Sequence, residues 1–104
     1  MALPQKNNQI ISLDEASKLT NKYRGQAAKD AIKGGLFWKD YVQKLLDQPG
    51  CVALRYYHAQ DDKGNPVIVL VGVDDKGDDM TEGVLLEFGL WCPPICGSSN
   101  ILNS

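Results

Sequence analysis

The feature that most constrains the fold is the longest apolar run of the chain, residues 66–74, which reads PVIVLVGVD. Valines occupy every second position, at Val67, Val69, Val71 and Val73, and the residues between them are also mostly apolar. A strand that is apolar on both faces is typical of the middle of a sheet, where neither face meets water. The run therefore predicts a central, doubly covered strand.

Two further strands are predicted beside this central strand. Residues 52–57 alternate between apolar and mixed side chains, and residues 83–91 do the same. The connections at residues 61–65 and 74–77 are short and rich in Asp, Gly and Asn, the residues that turns require. Short turns produce hairpins, so the three strands are predicted to form an antiparallel meander. The similar composition of the two turns indicates the same turn chemistry.

The first half of the chain predicts helices. Ser12 and Glu15 have the spacing of a capping box, which predicts a helix that begins after Ser12 and stops near Gly25. A second helix is predicted over residues 36–47, with a wide apolar face formed by Trp38, Tyr41, Val42, Leu45 and Leu46. The intervening residues 26–35 are compatible with either a short helix or a helical turn.

Together these patterns predict an α+β protein. Two, or three, N-terminal helices are expected to pack on one face of a three-stranded antiparallel meander. Residues 1–10 are expected to form a flexible tail and residues 11–104 a single domain, in which residues 92–104 are irregular. A chain of 104 residues is long enough to bury one core without metal or disulfides.

The alternation of the strands assigns residues to the two faces of the sheet. Val52, Leu54, Tyr56 and the four valines of the central strand are predicted to face the helices. The opposite face is predicted to carry Arg55, Tyr57, Ile68, Leu70, Leu85, Glu87 and Trp91. This second face is too apolar to remain in water, so either the C-terminal tail, with Ile95, Ile101 and Leu102, or a partner should cover it.

Several residues of that second face are of types enriched at binding hot spots, namely Trp, Tyr and Arg. We therefore predict a binding surface that consists of Arg55, Tyr57, Trp91, Ile68 and Leu70. The corresponding function is that of a small, non-catalytic binding or interaction protein. It is expected to use the sheet face and the C-terminal loop to bind a small ligand, a protein partner or a second copy of itself.

The C-terminal segment has a motif of its own, since residues 92–97 read Cys-Pro-Pro-Ile-Cys-Gly. With the helix-to-strand junction at residues 45–51 and the strand end at residues 69–74, this segment resembles a family of short, uncharacterised bacterial proteins with a C-terminal Cys-Pro-Pro-x-Cys motif. The resemblance extends from Ser12 onward. It implies a shared fold, and no function, because no activity is established for that family.

Cys92 and Cys96 suggest an alternative, a thiol-based function in metal binding or redox chemistry. A zinc site usually combines two such pairs, and the other candidate ligands, Cys51 and His58, are separated by about 23 Å along one extended strand. Redox pairs usually have the Cys-x-x-Cys spacing at a helix N-terminus, whereas here two prolines separate the cysteines. The pair could also form a small disulfide, or the loop could be a rigid one in which the thiols pack. The sequence leaves open whether Cys92 and Cys96 are free, bridged or metal-bound.

The rest of the sequence argues against other classes of function. The net charge of −2 disfavours a nucleic-acid partner, and no apolar run is long enough to span a membrane. The absence of a signal peptide and the odd number of cysteines favour the cytoplasm. Catalysis is not favoured, since His58 is the only histidine and no catalytic motif occurs. The acidic turn after Val73 does not match a calcium-binding loop, and no cofactor is expected.

Overall fold

The structure, a computed structural model, describes residues 2–29, 31–87 and 90–103. Within these residues it contains two helices and two antiparallel sheets, one of three strands and one of two. The elements in chain order are α1 (Leu13–Gln26), β1 (Gly34–Leu36), α2 (Lys39–Leu46), β2 (Ala53–Gln60), β3 (Pro66–Val73), β4 (Leu85–Glu87) and β5 (Leu90–Cys92). The predicted α+β class is confirmed.

The described residues divide into two compact units, and the single domain predicted for residues 11–104 stays a prediction. The sheet unit contains residues 2–5, 36–87 and 90, and the terminal unit contains residues 6–29, 31–35 and 91–103. The buried hydrophobic side chains of the described residues all belong to the sheet unit: Leu45, Val67, Leu70, Val71 and Val73. Because α1 belongs to the terminal unit, its predicted packing on the three-stranded sheet stays a prediction.

The central position predicted for residues 66–74 is confirmed, since β3 pairs with β2 on one side and with β4 on the other. Tyr56 lies opposite Leu70, which in turn lies opposite Leu86. Directly opposed residues of antiparallel strands project from the same face. One face therefore carries Leu54, Tyr56, Ile68, Leu70 and Leu86, and the other carries Arg55, Tyr57, Val69, Val71, Leu85 and Glu87.

The predicted faces of β2 and β4 agree with this register, whereas the predicted faces of β3 are wrong. Leu70 is on the face of Leu54, and the valines are on the face of Arg55. The helix α2 is on the side of Leu70, because a Cβ added at Gly72, which pairs with Leu54, would lie 2.9 Å from Nε2 of Gln48 just beyond α2. When the side chains of a strand are apolar on both faces, the sequence does not show which face is turned toward the helix.

Gln48 connects α2 to the sheet. Its side-chain amide donates to the carbonyl of Leu45 at 2.8 Å, and its Oε1 accepts from the backbone N–H of Val84 at 2.7 Å. The side chain reaches these partners because it passes beside Gly72 and Gly83, where a Cβ would meet it. Two glycines far apart in sequence thus provide the space for one polar bridge.

The two Asp-rich turns have the same hydrogen-bond pattern. Oδ1 of Asp61 accepts from the N–H groups two and four residues later, and Oδ1 of Asp74 does the same, with all four distances between 2.9 and 3.0 Å. Gly64 and Gly77 follow with φ of 83° and 85°, a region that glycine adopts readily. The shared turn chemistry predicted from the composition is confirmed.

The helix predictions are confirmed in part. The Ser12 hydroxyl accepts from the N–H of Glu15, whose carboxylate accepts from the N–H of Ser12, so the capping box is present. The second helix is shorter than predicted, because Leu36 belongs to β1. Within residues 27–33, apart from residue 30, the structure has no helix but has a turn in which the N–H of Ala31 donates to the carbonyl of Ala28.

Candidate binding surface and disulfide loop

A polar cluster on β2 is the most connected group of side chains in the sheet unit. Arg55 and Tyr57 are two residues apart on one strand, so they project from the same face. The turn after β3 returns Asp79 to a position opposite Val73 on that face. The carboxylate of Asp79 accepts from the Arg55 guanidinium, with which it forms an ion pair, and from the Tyr57 hydroxyl. Arg55 also donates to the carbonyl of Gly77 at 3.3 Å.

The protonation of this cluster follows from these contacts. The hydrogen bond from the Tyr57 hydroxyl, together with the Arg55 guanidinium, lowers the pKa of Asp79 below its ordinary value. The same hydrogen bond to Asp79 raises the pKa of Tyr57, and the hydrogen bond to Asp79 raises the pKa of Arg55. At neutral pH the cluster therefore contains a carboxylate, a guanidinium and a neutral phenol, each with its partner in place.

Arg55 and Tyr57 of this cluster also belong to a small surface of polar and apolar side chains, which we call the Tyr57–Leu85 surface. The register forms two rows across the three strands, one of Tyr57, Val69 and Glu87 and the other of Arg55, Val71 and Leu85. Of the two central valines, Val71 is buried, at 2% exposed, and Val69 is half-buried, while Tyr57 is 47% and Leu85 is 54% exposed. The surface thus presents an aromatic ring, an aliphatic side chain and one charge of each sign on a rigid sheet.

The five residues predicted to form a binding surface do not lie together. Arg55 and Tyr57 share a face, but Ile68 and Leu70 project from the opposite face, and Leu70 is buried. Trp91 belongs to β5, which pairs with β1 in the two-stranded sheet and is not a strand of the three-stranded sheet. The grouping of these five side chains on one face is therefore wrong, and their role in binding stays a prediction.

Two aromatic side chains that the sequence assigned to the covered face of the second helix are instead exposed. Trp38 precedes α2 and is 61% exposed, and Tyr41 in its first turn is 54% exposed. Of the predicted apolar face, Leu45 alone is fully buried. A helix of 8 residues above three strands can direct few side chains into the core, and the amphipathic pattern does not reveal how many.

Cys92 and Cys96 form a disulfide with a Cα–Cα distance of 4.6 Å. The intervening loop folds back, and the N–H of Ile95 donates to the carbonyl of Trp91 at 2.8 Å. Within the terminal unit, the amide of Asn103 donates to the carbonyl of Cys96 at 3.1 Å, and Arg24 of α1 donates to the carbonyl of Leu102. The bridge is therefore the start of a short chain of contacts that holds residues 96–103 near α1.

The closed disulfide constrains the thiol-based alternative, which itself stays a prediction. Bonded sulfurs are not thiolate ligands, so Cys92 and Cys96 cannot bind a metal ion while the bridge is closed. In the described part of the chain, no group of three His, Cys, Asp or Glu side chains is arranged to hold a metal ion. Cys51 is free and donates to the carbonyl of Ala53, and the ring of His58 stacks edge-on against Tyr56.

The tail residues proposed as a cover for the sheet, Ile95, Ile101 and Leu102, are exposed. None of the helices within residues 2–29, 31–87 and 90–103 has the length and apolarity to cross a membrane. Comparisons with protein-family models, with curated proteins and with solved structures gave no match to this chain. The resemblance to short bacterial proteins therefore stays a prediction that rests on the sequence motifs.

Proposed function

We propose that this chain is a small, non-catalytic interaction protein that binds a protein partner through the Tyr57–Leu85 surface. The observation that carries the proposal is the exposure of Tyr57 and Leu85 on a sheet whose central strand is buried. A rigid, exposed aromatic residue costs little conformational entropy when it is covered by a partner. Arg55 and Tyr57 both donate to the Asp79 carboxylate, which fixes the position of the Tyr57 ring.

A protein is favoured over a nucleic acid as the partner because of the charge of the sheet unit. Residues 1–5 and 36–90 contain five basic and ten acidic residues, a net charge of −5, whereas residues 6–35 and 91–104 contain six basic and three acidic residues, a net charge of +3. Binding to phosphates depends on clustered Lys and Arg, which the sheet unit lacks. The single cation of the Tyr57–Leu85 surface, Arg55, is already paired.

The test is site-directed photo-crosslinking with a photoreactive amino acid at Leu85, in a lysate of the cells that make the protein. The matched control carries the same amino acid at Leu46, which is also apolar and partly exposed but lies on α2. We expect a discrete crosslinked product from position 85 alone, and its loss when Tyr57→Ala is added, measured at a temperature at which that variant is still folded. Equal products from both positions, or none from position 85, would contradict the proposal.

The disulfide favours a second candidate, a redox function for Cys92 and Cys96. Structural disulfides are typical of oxidising compartments, and in a reducing compartment such as the cytoplasm a disulfide is usually catalytic or redox-sensing. In the proposed reaction a dithiol reduces the bridge: the S–S bond breaks, two thiols form on the chain, and the dithiol becomes a disulfide. The C-terminal loop would then act through the release of residues 96–103.

Equilibration in glutathione buffers of varied ratio, followed by alkylation and mass measurement, tests this second candidate. Opening of the bridge at the ratio found in a reducing compartment is the expected result for a redox pair. A bridge that stays closed until a strong reductant is added would identify a structural disulfide and exclude the redox function. Cys51 provides an internal standard, since it should be alkylated throughout.

A further inference from the structure

The edge strand β2 has a set of unpaired backbone groups. In the three-stranded sheet it pairs with β3 alone, and the ladder is regular from Ala53 to Gln60. The N–H of Asp61 donates to the carbonyl of Asn65 at 3.0 Å, which identifies the odd-numbered positions of β2 as those bonded to β3. The even-numbered residues consequently direct N–H and C=O groups away from the sheet: Leu54, Tyr56, His58 and Gln60.

Two observations support this assignment. Pro66, which has no N–H, lies opposite Gln60, in a pair that needs no hydrogen bond between its members. Within the described residues, no backbone or side-chain group is hydrogen-bonded to the backbone of Leu54, Tyr56, His58 or Gln60. The outer edge of β2 therefore offers four donors and four acceptors in the spacing of an antiparallel ladder.

Edge strands of this length are usually protected by Pro, by Lys or by a bulge. β2 has 8 residues and contains neither Pro nor Lys, and its only fully charged side chain, Arg55, is held on one face by Asp79. The opposite edge of the sheet, β4, has 3 residues and follows the usual strategy of a short edge. The contrast between the two edges shows that β2 alone is suited to extend the sheet.

We propose that β2 pairs antiparallel with β2 of a second copy of this chain, about a two-fold axis at Tyr56, and so forms a continuous six-stranded sheet. In this register Leu54 lies opposite His58 of the second copy, and the two Tyr56 residues lie opposite each other as a hydrogen-bonded pair. Because only even-numbered residues have free backbone groups, a shift by one residue is excluded.

The side chains support a second copy as the occupant. In the proposed register Arg55 lies opposite Tyr57 of the second copy, and opposed residues have Cβ atoms about 5 Å apart. Each Arg55 guanidinium would therefore approach the Asp79 carboxylate that Tyr57 of the other copy binds. The strand is thus self-complementary in charge, with no like charges in opposition. This inference rests on the backbone edge and is independent of the function proposed for the Tyr57–Leu85 surface.

The first test is amide hydrogen exchange of the unmodified chain, measured by NMR at low and high protein concentration. We expect the amides of Leu54, Tyr56 and His58 to become protected as the concentration rises, while those of Arg55 and Tyr57 are protected throughout. Exchange of the three even-numbered amides that is fast and independent of concentration would overturn the proposal. This readout needs no variant and so does not depend on how a substitution affects folding.

The second test compares His58→Pro with His58→Ala by sedimentation equilibrium. The N–H of His58 faces outward, so proline at this position leaves the ladder with β3 intact, as edge strands tolerate. We expect the parent and His58→Ala to dimerise. His58→Pro should dimerise at least about tenfold more weakly, with a melting temperature similar to that of His58→Ala. A parent that is monomeric at all concentrations, or a His58→Pro variant that dimerises as strongly as His58→Ala, would contradict the pairing.

Discussion

The polar bridge between α2 and the sheet gives the sharpest test of the packing described above. A Cβ at Gly83 would collide with Oε1 of Gln48, and Gly83 has no positive φ that would itself penalise a side chain. We therefore expect Gly83→Ala to act through a single event, the displacement of the Gln48 side chain from its position between Leu45 and Val84.

The magnitude follows from the bonds that are lost. Displacement breaks two hydrogen bonds, at 2.8 and 2.7 Å, each of which contributes about 0.5–1.5 kcal/mol net. Alanine also restricts the unfolded chain, which offsets the loss by about 0.4–1 kcal/mol. Gly83→Ala should therefore lower the free energy of unfolding by up to about 2.6 kcal/mol, and Gln48→Ala should lower it by about 1–3 kcal/mol.

The decisive assay is a double-mutant cycle measured by urea unfolding. In the Gln48→Ala background there is no side chain to displace, so Gly83→Ala should become neutral or stabilise the protein by about 0.4–1 kcal/mol. Gly25→Ala is the matched control, because nothing lies within 4 Å of a Cβ at that position. If Gly83→Ala costs the same in both backgrounds, to within about 0.5 kcal/mol, the reasoning is refuted.

Three further predictions concern the core, the acidic side of the pH profile and the disulfide. Val71→Ala should destabilise by about 1.5–3 kcal/mol in urea unfolding, whereas Val52→Ala, at an exposed position, should not; equal effects would contradict the central position of β3. Because folding lowers the pKa of Asp79, the contribution of this carboxylate to the free energy of unfolding is full above about pH 4 and is lost as the pH falls through the pKa of the folded state. Asp79→Asn should therefore reduce the loss of stability at acid pH, and an unchanged dependence of stability on pH would argue against the cluster. Reduction of the Cys92–Cys96 bridge should lower the free energy of unfolding by about 2 kcal/mol, the chain-entropy value for a sequence separation of 4. A phosphine reductant should therefore shift the melting curve of the parent and leave that of the Cys92→Ser/Cys96→Ser control unchanged. A parent curve that is equally unaffected would show that the bridge does not stabilise the fold.

Local chemistry was predictable from the sequence because it depends on neighbours along the chain. The capping box at Ser12 and the two Asp turns involve residues two to four positions apart, and the structure confirms both. Arg55 and Tyr57 could likewise be placed on one face from their spacing. Asp79 was missed as their partner, since its approach depends on the path of the whole turn after β3.

The face of β3 could not be predicted for a different physical reason. The alternation of side chains identifies the buried face only when every second residue is polar, and residues 67–71 are all apolar. The end of the third strand was equally hidden, because the alternation continues from Leu86 through Leu90 while the pairing partner changes from β3 to β1. Sequence patterns report which residues avoid water, and different pairing partners can satisfy that requirement equally well.

The terminal unit has a consequence for synthesis on the ribosome. It is assembled from residues 6–35 and from residues 91–103, so more than fifty residues are translated between its two parts. The sheet unit contains all of β2, β3 and β4 and can begin to fold while residues 91–103 are still absent. During that interval Arg24 of α1 lacks the carbonyl of Leu102, to which it donates in the finished structure, so the terminal unit completes its contacts only after residues 91–103 have been translated.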